Sequence, residues 1–151
     1  MRELALMRHG RPGVAEGVFN DSKEEVKMSA LRLKEMLDLK DGLFLATSNI
    51  KVAKKTAEIV GNILNVLPVG WKVLADFYPK DFEECWKSLM KIPDKTIVLV
   101  THLPNVMFFP EFFNGKLANN GMSAAKIEDV GGVVAGEKLP PATFKILKWE
   151  E

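Results

Sequence analysis

Short, almost entirely apolar segments recur along this chain between longer amphipathic ones. Such apolar runs are typical of strands that are buried on both faces of a sheet. Glycine and proline separate the segments in the last third of the chain. We predict strands over residues 3–8, 43–47, 71–74 and 96–101, and candidate strands over residues 124–127, 133–135 and 143–149.

The amphipathic segments predict three helices. In the first, Ser22 and Glu25 have the spacing of a capping box, with Ser22 as the N-cap, and Gly42 is expected to end the helix. The second helix is predicted from about residue 50 to residue 64, and the third over residues 81–91. The expected inward-facing residues are Val26, Ala30, Leu33 and Leu37 in the first helix, Val52, Thr56, Ile59, Val60 and Ile63 in the second, and Phe82, Cys85, Trp86 and Leu89 in the third.

The alternation of strands with helices predicts the fold class. A helix between two parallel strands crosses one face of the sheet, so several such connections cover both faces. We therefore expect an α/β fold, a three-layer sandwich with a mostly parallel central sheet and helices on both faces. The chain has 151 residues and no linker-like or repeated segment, so a single domain over residues 1–151 is predicted.

Composition narrows the partners and the compartment. The chain has 21 Lys and Arg against 20 Asp and Glu, a net charge of +1, which argues against nucleic acid or an acidic membrane surface as the principal partner. Cys85 is the single cysteine, which excludes an internal disulfide and favours a reducing compartment. Neither a signal peptide nor an apolar run of about 18 residues is found. We expect a cytoplasmic protein without a metal ion or other cofactor.

Both histidines follow predicted strands. Arg8 and His9 come at the end of the first strand, Ser48 follows the second, and His102 follows the strand over residues 96–101. Ligands bind at the carboxyl edge of parallel strands, so these side chains are expected to meet there. Arginine offers a planar fork to phosphate oxygens, and neutral imidazole is a nucleophile toward phosphorus. Taken alone, a histidine at a strand end or an arginine on the surface more often has no catalytic role, but together these residues indicate phosphoryl chemistry.

Three motifs occur in order along the chain. Arg8-His9-Gly10, after an N-terminal strand, resembles the signature of the histidine phosphatase superfamily, also called the phosphoglycerate-mutase-like family. Residues 101–104 (THLP) resemble its second histidine motif, and residues 47–59 (TSNIKVAKKTAEI) are similar to its strand-to-helix segment. The resemblance extends from Leu4 to about Val106. The short chain is most like the small SixA-type phosphohistidine phosphatases.

The resemblance implies a mechanism. His9 would attack the phosphoryl group and carry it as a covalent phosphohistidine, which water hydrolyses. Arg8 and His102 would bind the equatorial oxygens and stabilise the developing charge, so that no metal ion is needed. The substrate is expected to be phosphohistidine in a protein partner. A small phosphomonoester is the first alternative, and a phosphate-binding regulatory module with little turnover is the second.

Two positions depart from the family pattern. The family's second arginine aligns without gaps onto Val52, so that Lys51 or Arg11 is a candidate to replace it as a phosphate ligand; for both, a solvated surface charge is the alternative. The family's general acid follows the predicted strand over residues 71–74, where Asp76 is the nearest carboxylate and a turn aspartate is the alternative. A departing imidazole, with a pKa near ~6.5, needs less protonation than an alcohol, so a weak acid favours a phosphohistidine substrate.

An aromatic cluster follows the second histidine and is interrupted by Pro110. Its members, Phe108, Phe109, Phe112 and Phe113, are expected to pack in the core, as aromatic residues usually do. The alternative is an apolar wall beside the site that meets a protein substrate.

Overall fold

The computed structural model describes residues 1–11, 21–74, 79–130 and 142–151. Within these residues the chain forms six strands, four α-helices and one 3₁₀ turn. In chain order they are β1 (Arg2–Arg8), α1 (Asp21–Met36), β2 (Leu43–Thr47), α2 (Lys51–Leu64), β3 (Val69–Gly70), the 3₁₀ turn (Lys72–Leu74), α3 (Pro79–Met90), β4 (Thr96–Thr101), α4 (Leu103–Asn119), β5 (Lys126–Val130) and β6 (Phe144–Trp149).

The six strands form one sheet in the order β3-β2-β4-β1-β6-β5. Strands β3, β2, β4 and β1 are parallel to one another, whereas β6 runs antiparallel to β1 and β5 runs antiparallel to β6. The register places Arg8 of β1 opposite Thr101 of β4, and Thr47 of β2 opposite Val100. The carboxyl ends of β1, β2 and β4 therefore lie side by side at one edge of the sheet.

Helices cover both faces of the sheet. Successive side chains of a strand point to opposite faces, and β1 follows this rule: Leu4 and Leu6 pack against α3 and α4, whereas Ala5 and Met7 pack against α1 and α2. All four side chains are at most 1% exposed, so β1 is a fully buried strand. The predicted α/β three-layer sandwich with a mostly parallel central sheet is confirmed.

The helix predictions are confirmed on their packing faces and corrected at one end. Three stripe residues of α1 are fully buried (Val26, Ala30 and Leu33), and all four residues expected to face inward in α3 are buried. However, α1 ends at Met36 instead of Gly42, which instead adopts a φ of 93° just before β2. Ser22 is not the N-cap, because Asp21 is already helical. In α2, Ala53 and Ala57 are buried, whereas Val52, Ile59 and Ile63 are only partly buried.

The predicted strand over residues 71–74 is wrong. Strand β3 is only two residues long and ends at Gly70. The Trp71 N–H donates to the carbonyl of Thr47 at 2.8 Å, and the chain then curls into the 3₁₀ turn, in which the Leu74 N–H donates to the Trp71 carbonyl at 3.1 Å. The Leu74 carbonyl accepts hydrogen bonds from the side chains of Thr101 and Asn105, so side chains replace the sheet ladder here.

The aromatic cluster lies in α4, a helix that the sequence pattern did not predict. Pro110 lies inside α4, where it removes one backbone hydrogen bond. Burial of Phe109 and Phe113 against the sheet outweighs that cost, and Phe108 is 55% exposed. Core packing is thus confirmed for Phe109 and Phe113, and Phe112 is partly buried against the same core. Strands β5 and β6 match two of the late strand candidates approximately, and residues 133–135 lie outside the described residues.

Among the described residues, no helix has the length and apolar character to cross a membrane. In the same part of the chain, no cluster of three or more His, Cys, Asp or Glu side chains is arranged to hold a metal ion.

Candidate active site

The two histidines meet at the carboxyl edge of the sheet. The N–H of His9 donates to the carbonyl of Thr101 at 2.9 Å, which fixes the end of β1 against the end of β4. His102 follows Thr101 directly, so its ring lies beside that of His9. The two ring centroids are 5.1 Å apart and the planes are inclined by 74°. At this separation one tetrahedral oxyanion can contact both imidazoles.

The tautomer of His9 follows from its hydrogen bond. The Nδ1 atom lies 2.8 Å from the carbonyl oxygen of Gly10. A carbonyl oxygen only accepts, so Nδ1 carries the proton, and in the neutral ring the lone pair is then on Nε2. His9 therefore presents an unprotonated ring nitrogen away from its own backbone, as a nucleophile requires.

His102 is the N-cap residue of α4, in extended conformation with φ −97° and ψ 159°. Its Nε2 atom lies 3.4 Å from Oγ of Ser48, a fully buried side chain at the end of β2. Burial first, and the neighbouring His9 second, lower the pKa of His102. The His102 ring is therefore mostly neutral at pH 7. Ser48 was placed at this edge by the sequence but was not among the candidate site residues; the strand pairing that brings it to His102 has no local signal.

Arg8 is the last residue of β1, and its side chain is partly buried. Its backbone N–H donates to the carbonyl of Thr143 at 2.9 Å, which anchors β1 on the other side. Burial and, second, the positive charge of Arg11 lower the pKa of Arg8. The guanidinium stays charged at neutral pH, because a free arginine titrates only above about 12. Arg8 therefore brings a permanent positive charge to the end of β1, directly before His9 in the chain.

The remaining predicted site residues are placed differently. The Nε atom of Arg11 lies 3.3 Å from Oε1 of Glu25 on α1, and both side chains are partly exposed. Lys51 is exposed in the first turn of α2, near the end of β2. Asp76 lies outside the described residues. The structure therefore brings His9, His102 and Ser48 together, and Arg8 directly precedes His9 in the chain. The roles of all the predicted site residues, Arg8, His9, His102, Arg11, Lys51 and Asp76, stay predictions.

Solved structures share the architecture of this chain. No protein-family model matches the sequence, and no curated protein matches it either. A mycobacterial glucosyl-3-phosphoglycerate phosphatase in complex with VO3 gives a TM-score of 0.66 at 12% identity, over 99% of this chain and 96% of that one. The protein histidine phosphatase SixA in complex with tungstate gives a TM-score of 0.58 at 16% identity, over 97% of this chain and 94% of that one. Phosphoglycerate mutase from Plasmodium falciparum gives a TM-score of 0.60 at 14% identity, over 83% of this chain and 81% of that one. The chain therefore has the same fold as these three enzymes.

The carboxyl edge of the sheet combines three features that suit an oxyanion. Arg8 supplies a permanent positive charge and a planar fork of N–H donors. Helix α4 begins directly after His102, so its first amides and the positive end of its dipole lie at the same edge. His9 supplies a lone pair on Nε2. The arrangement can bind a phosphoryl group and attack its phosphorus atom.

Proposed function

We propose that this protein is a metal-independent phosphatase that forms a covalent phosphohistidine on His9. The observation that carries the proposal is the 5.1 Å separation of the His9 and His102 rings at the ends of β1 and β4, with Arg8 immediately before His9. Two imidazoles and one guanidinium at one sheet edge suit a transferring phosphoryl group, because that reaction depends mainly on positioning and on charge stabilisation.

In the proposed reaction the Nε2 lone pair of His9 attacks phosphorus, and the bond from phosphorus to the leaving group breaks. Water then attacks the phosphohistidine, which releases inorganic phosphate and restores the neutral imidazole. Arg8 and His102 hold the equatorial oxygens in both steps. We further assign Lys51 and Arg11 as candidate phosphate ligands and Asp76 as the candidate general acid.

For the substrate, we propose phosphohistidine in a protein partner, in the cytoplasm. An imidazole leaving group needs little protonation, so this substrate tolerates a pocket with a weak acid and with Val52 in place of a second arginine. Likeness in fold to the protein histidine phosphatase SixA supports this choice. A small phosphomonoester is the second candidate. Likeness in fold to a glucosyl-3-phosphoglycerate phosphatase favours it, with a TM-score of 0.66 against 0.58 for SixA.

The nucleophile is tested by phosphoryl capture. The protein is incubated with a radiolabelled small phosphodonor and quenched in alkali, where phosphohistidine is stable although it is labile in acid. We expect an acid-labile label on the wild type and none on His9→Ala. The His102→Ala variant is the matched control: only two histidines exist, so any phosphohistidine on this variant is on His9. Label on His9→Ala would refute the proposal.

The substrate class is tested by comparing a histidine-phosphorylated protein with small phosphomonoesters under one condition. Faster release of phosphate from the phosphorylated protein supports the proposal. A preference for the ester that disappears in Asp76→Asn would favour the second candidate. Phosphate binding by calorimetry without release from any substrate would mark a binding module instead.

A further inference from the structure

A hydrogen-bond chain connects helix α2 to the proposed nucleophile. The hydroxyl of Thr56 on α2 accepts from the N–H of Gly10 at 2.9 Å and donates to the carbonyl of Val52 at 2.8 Å. The carbonyl of Gly10 in turn accepts from Nδ1 of His9 at 2.8 Å. Thr56 is fully buried and Gly10 is buried, so the hydrogen bond between them is shielded from water.

The direction of each bond in this chain is fixed by chemistry. A hydroxyl has one proton, and the Val52 carbonyl can only accept it. The Thr56 oxygen therefore turns a lone pair toward the Gly10 N–H. Threonine in a helix often donates its hydroxyl proton to the carbonyl four residues earlier, so α2 itself sets the orientation of this hydroxyl.

The peptide bond between His9 and Gly10 is held at both of its polar atoms. Its carbonyl accepts from the N–H of Ala142 at 3.2 Å, and its N–H donates to Thr56. Gly10 has no side chain, so rotation about its backbone is otherwise nearly free. Holding this peptide plane limits where the next carbonyl, that of Gly10, can point, and that carbonyl is the group that binds His9 Nδ1.

We infer that Thr56 is a positioning residue for His9. By holding the Gly10 peptide, it keeps the proton on Nδ1 and leaves Nε2 free for attack on phosphorus. The effect of Thr56 on catalysis rests on the proposed function. The tautomer of His9 does not, because it is a property of the protein without substrate. Thr56 does not touch the substrate, so its effect reaches the reaction only through the ring of His9.

The test compares Thr56→Val, which has the same shape and no hydroxyl, with Thr56→Ser, which keeps the hydroxyl. Nitrogen–proton correlation spectra of the imidazole rings at about pH 8, where an ordinary histidine is neutral, report the tautomer directly. Signals of His9 are assigned with His102→Gln. We expect the Nδ1–H tautomer in the wild type and in Thr56→Ser, and a mixture of tautomers in Thr56→Val.

The same variants are compared in the rate of phosphohistidine formation. We expect Thr56→Val to be slower by about tenfold, the effect of losing one ordinary hydrogen bond, and Thr56→Ser to recover most of the rate. Thr96→Val is the matched control, because Thr96 is also a buried threonine whose hydroxyl donates to a carbonyl, that of Asp38, at the opposite edge of the sheet. It should change neither the tautomer nor the rate.

An unchanged His9 tautomer in Thr56→Val would overturn this inference, as would an equal change in Thr96→Val. Spectra are recorded without substrate, so the two proposals fail separately. A wild type that never becomes phosphorylated counts against the phosphatase, whereas the tautomer ratio decides the role of Thr56.

Discussion

Binding of a dianion at this site should draw a proton onto His102. Burial and the neighbouring His9 lower the pKa of His102 in the free protein, so its ring is neutral at pH 7. A dianion beside the ring favours the imidazolium and raises that pKa. Sulfate is the suitable probe, because unlike phosphate it stays a dianion across the range in which histidines titrate.

The size of the effect follows from linkage. When binding takes up one proton, affinity falls about tenfold for each pH unit between the pKa of the free site and that of the complex. For His102 this pH range begins below about 6.5, because the pKa of His102 in the free protein is lower than the ordinary histidine value. Below the free pKa the ring is already charged, and its contribution to the pH dependence disappears.

Isothermal titration of sulfate in two buffers with different protonation enthalpies counts the protons taken up. We expect the wild type to take up one proton more than His102→Gln at pH 7.0. This pH lies about half a unit above the pKa of an ordinary histidine. His9 is present in both proteins, so its own contribution cancels. Equal proton uptake by the two proteins would refute the reasoning, as would a wild-type affinity that does not change with pH.

Three further outcomes are expected. Arg8→Lys keeps the charge but loses the planar fork, so sulfate affinity measured by calorimetry should fall about tenfold; unchanged affinity would remove Arg8 from the site. Phe113→Ala should lower the free energy of unfolding in urea by about 3–5 kcal/mol, because its fully buried ring packs 4.7 Å from that of Trp149. The exposed Phe108→Ala should change it by less than about 0.5 kcal/mol, and equal losses would contradict the packing. Burial raises the pKa of the Cys85 thiol to about 12, so a thiol reagent at about pH 8 should label only denatured protein; rapid labelling of native protein would contradict this.

Local pattern was sufficient for most of the helices and strands. The apolar runs that became β1, β2 and β4 need burial on both faces, and only the middle of a sheet provides it. The apolar stripe on α1 needs only one apolar surface to pack against, and its pattern predicts a helix whichever surface that is. Local pattern failed where a tertiary contact outweighed it. Pro110 is tolerated in α4 because the helix is held by burial, and residues 72–74 leave the sheet because side chains bind the Leu74 carbonyl.

The sequence by itself determined that both histidines follow buried strands, because apolar runs and their polar ends are local features. Only the tertiary structure decided what each ring touches. Nothing near His9 in the sequence specifies that β1 pairs with β4, and that register places His9 beside His102. The Ser48 contact, the Arg11–Glu25 pair and the Thr56–Gly10 bond likewise join residues from separate elements. Such contacts are set by strand order and packing, to which every part of the core contributes.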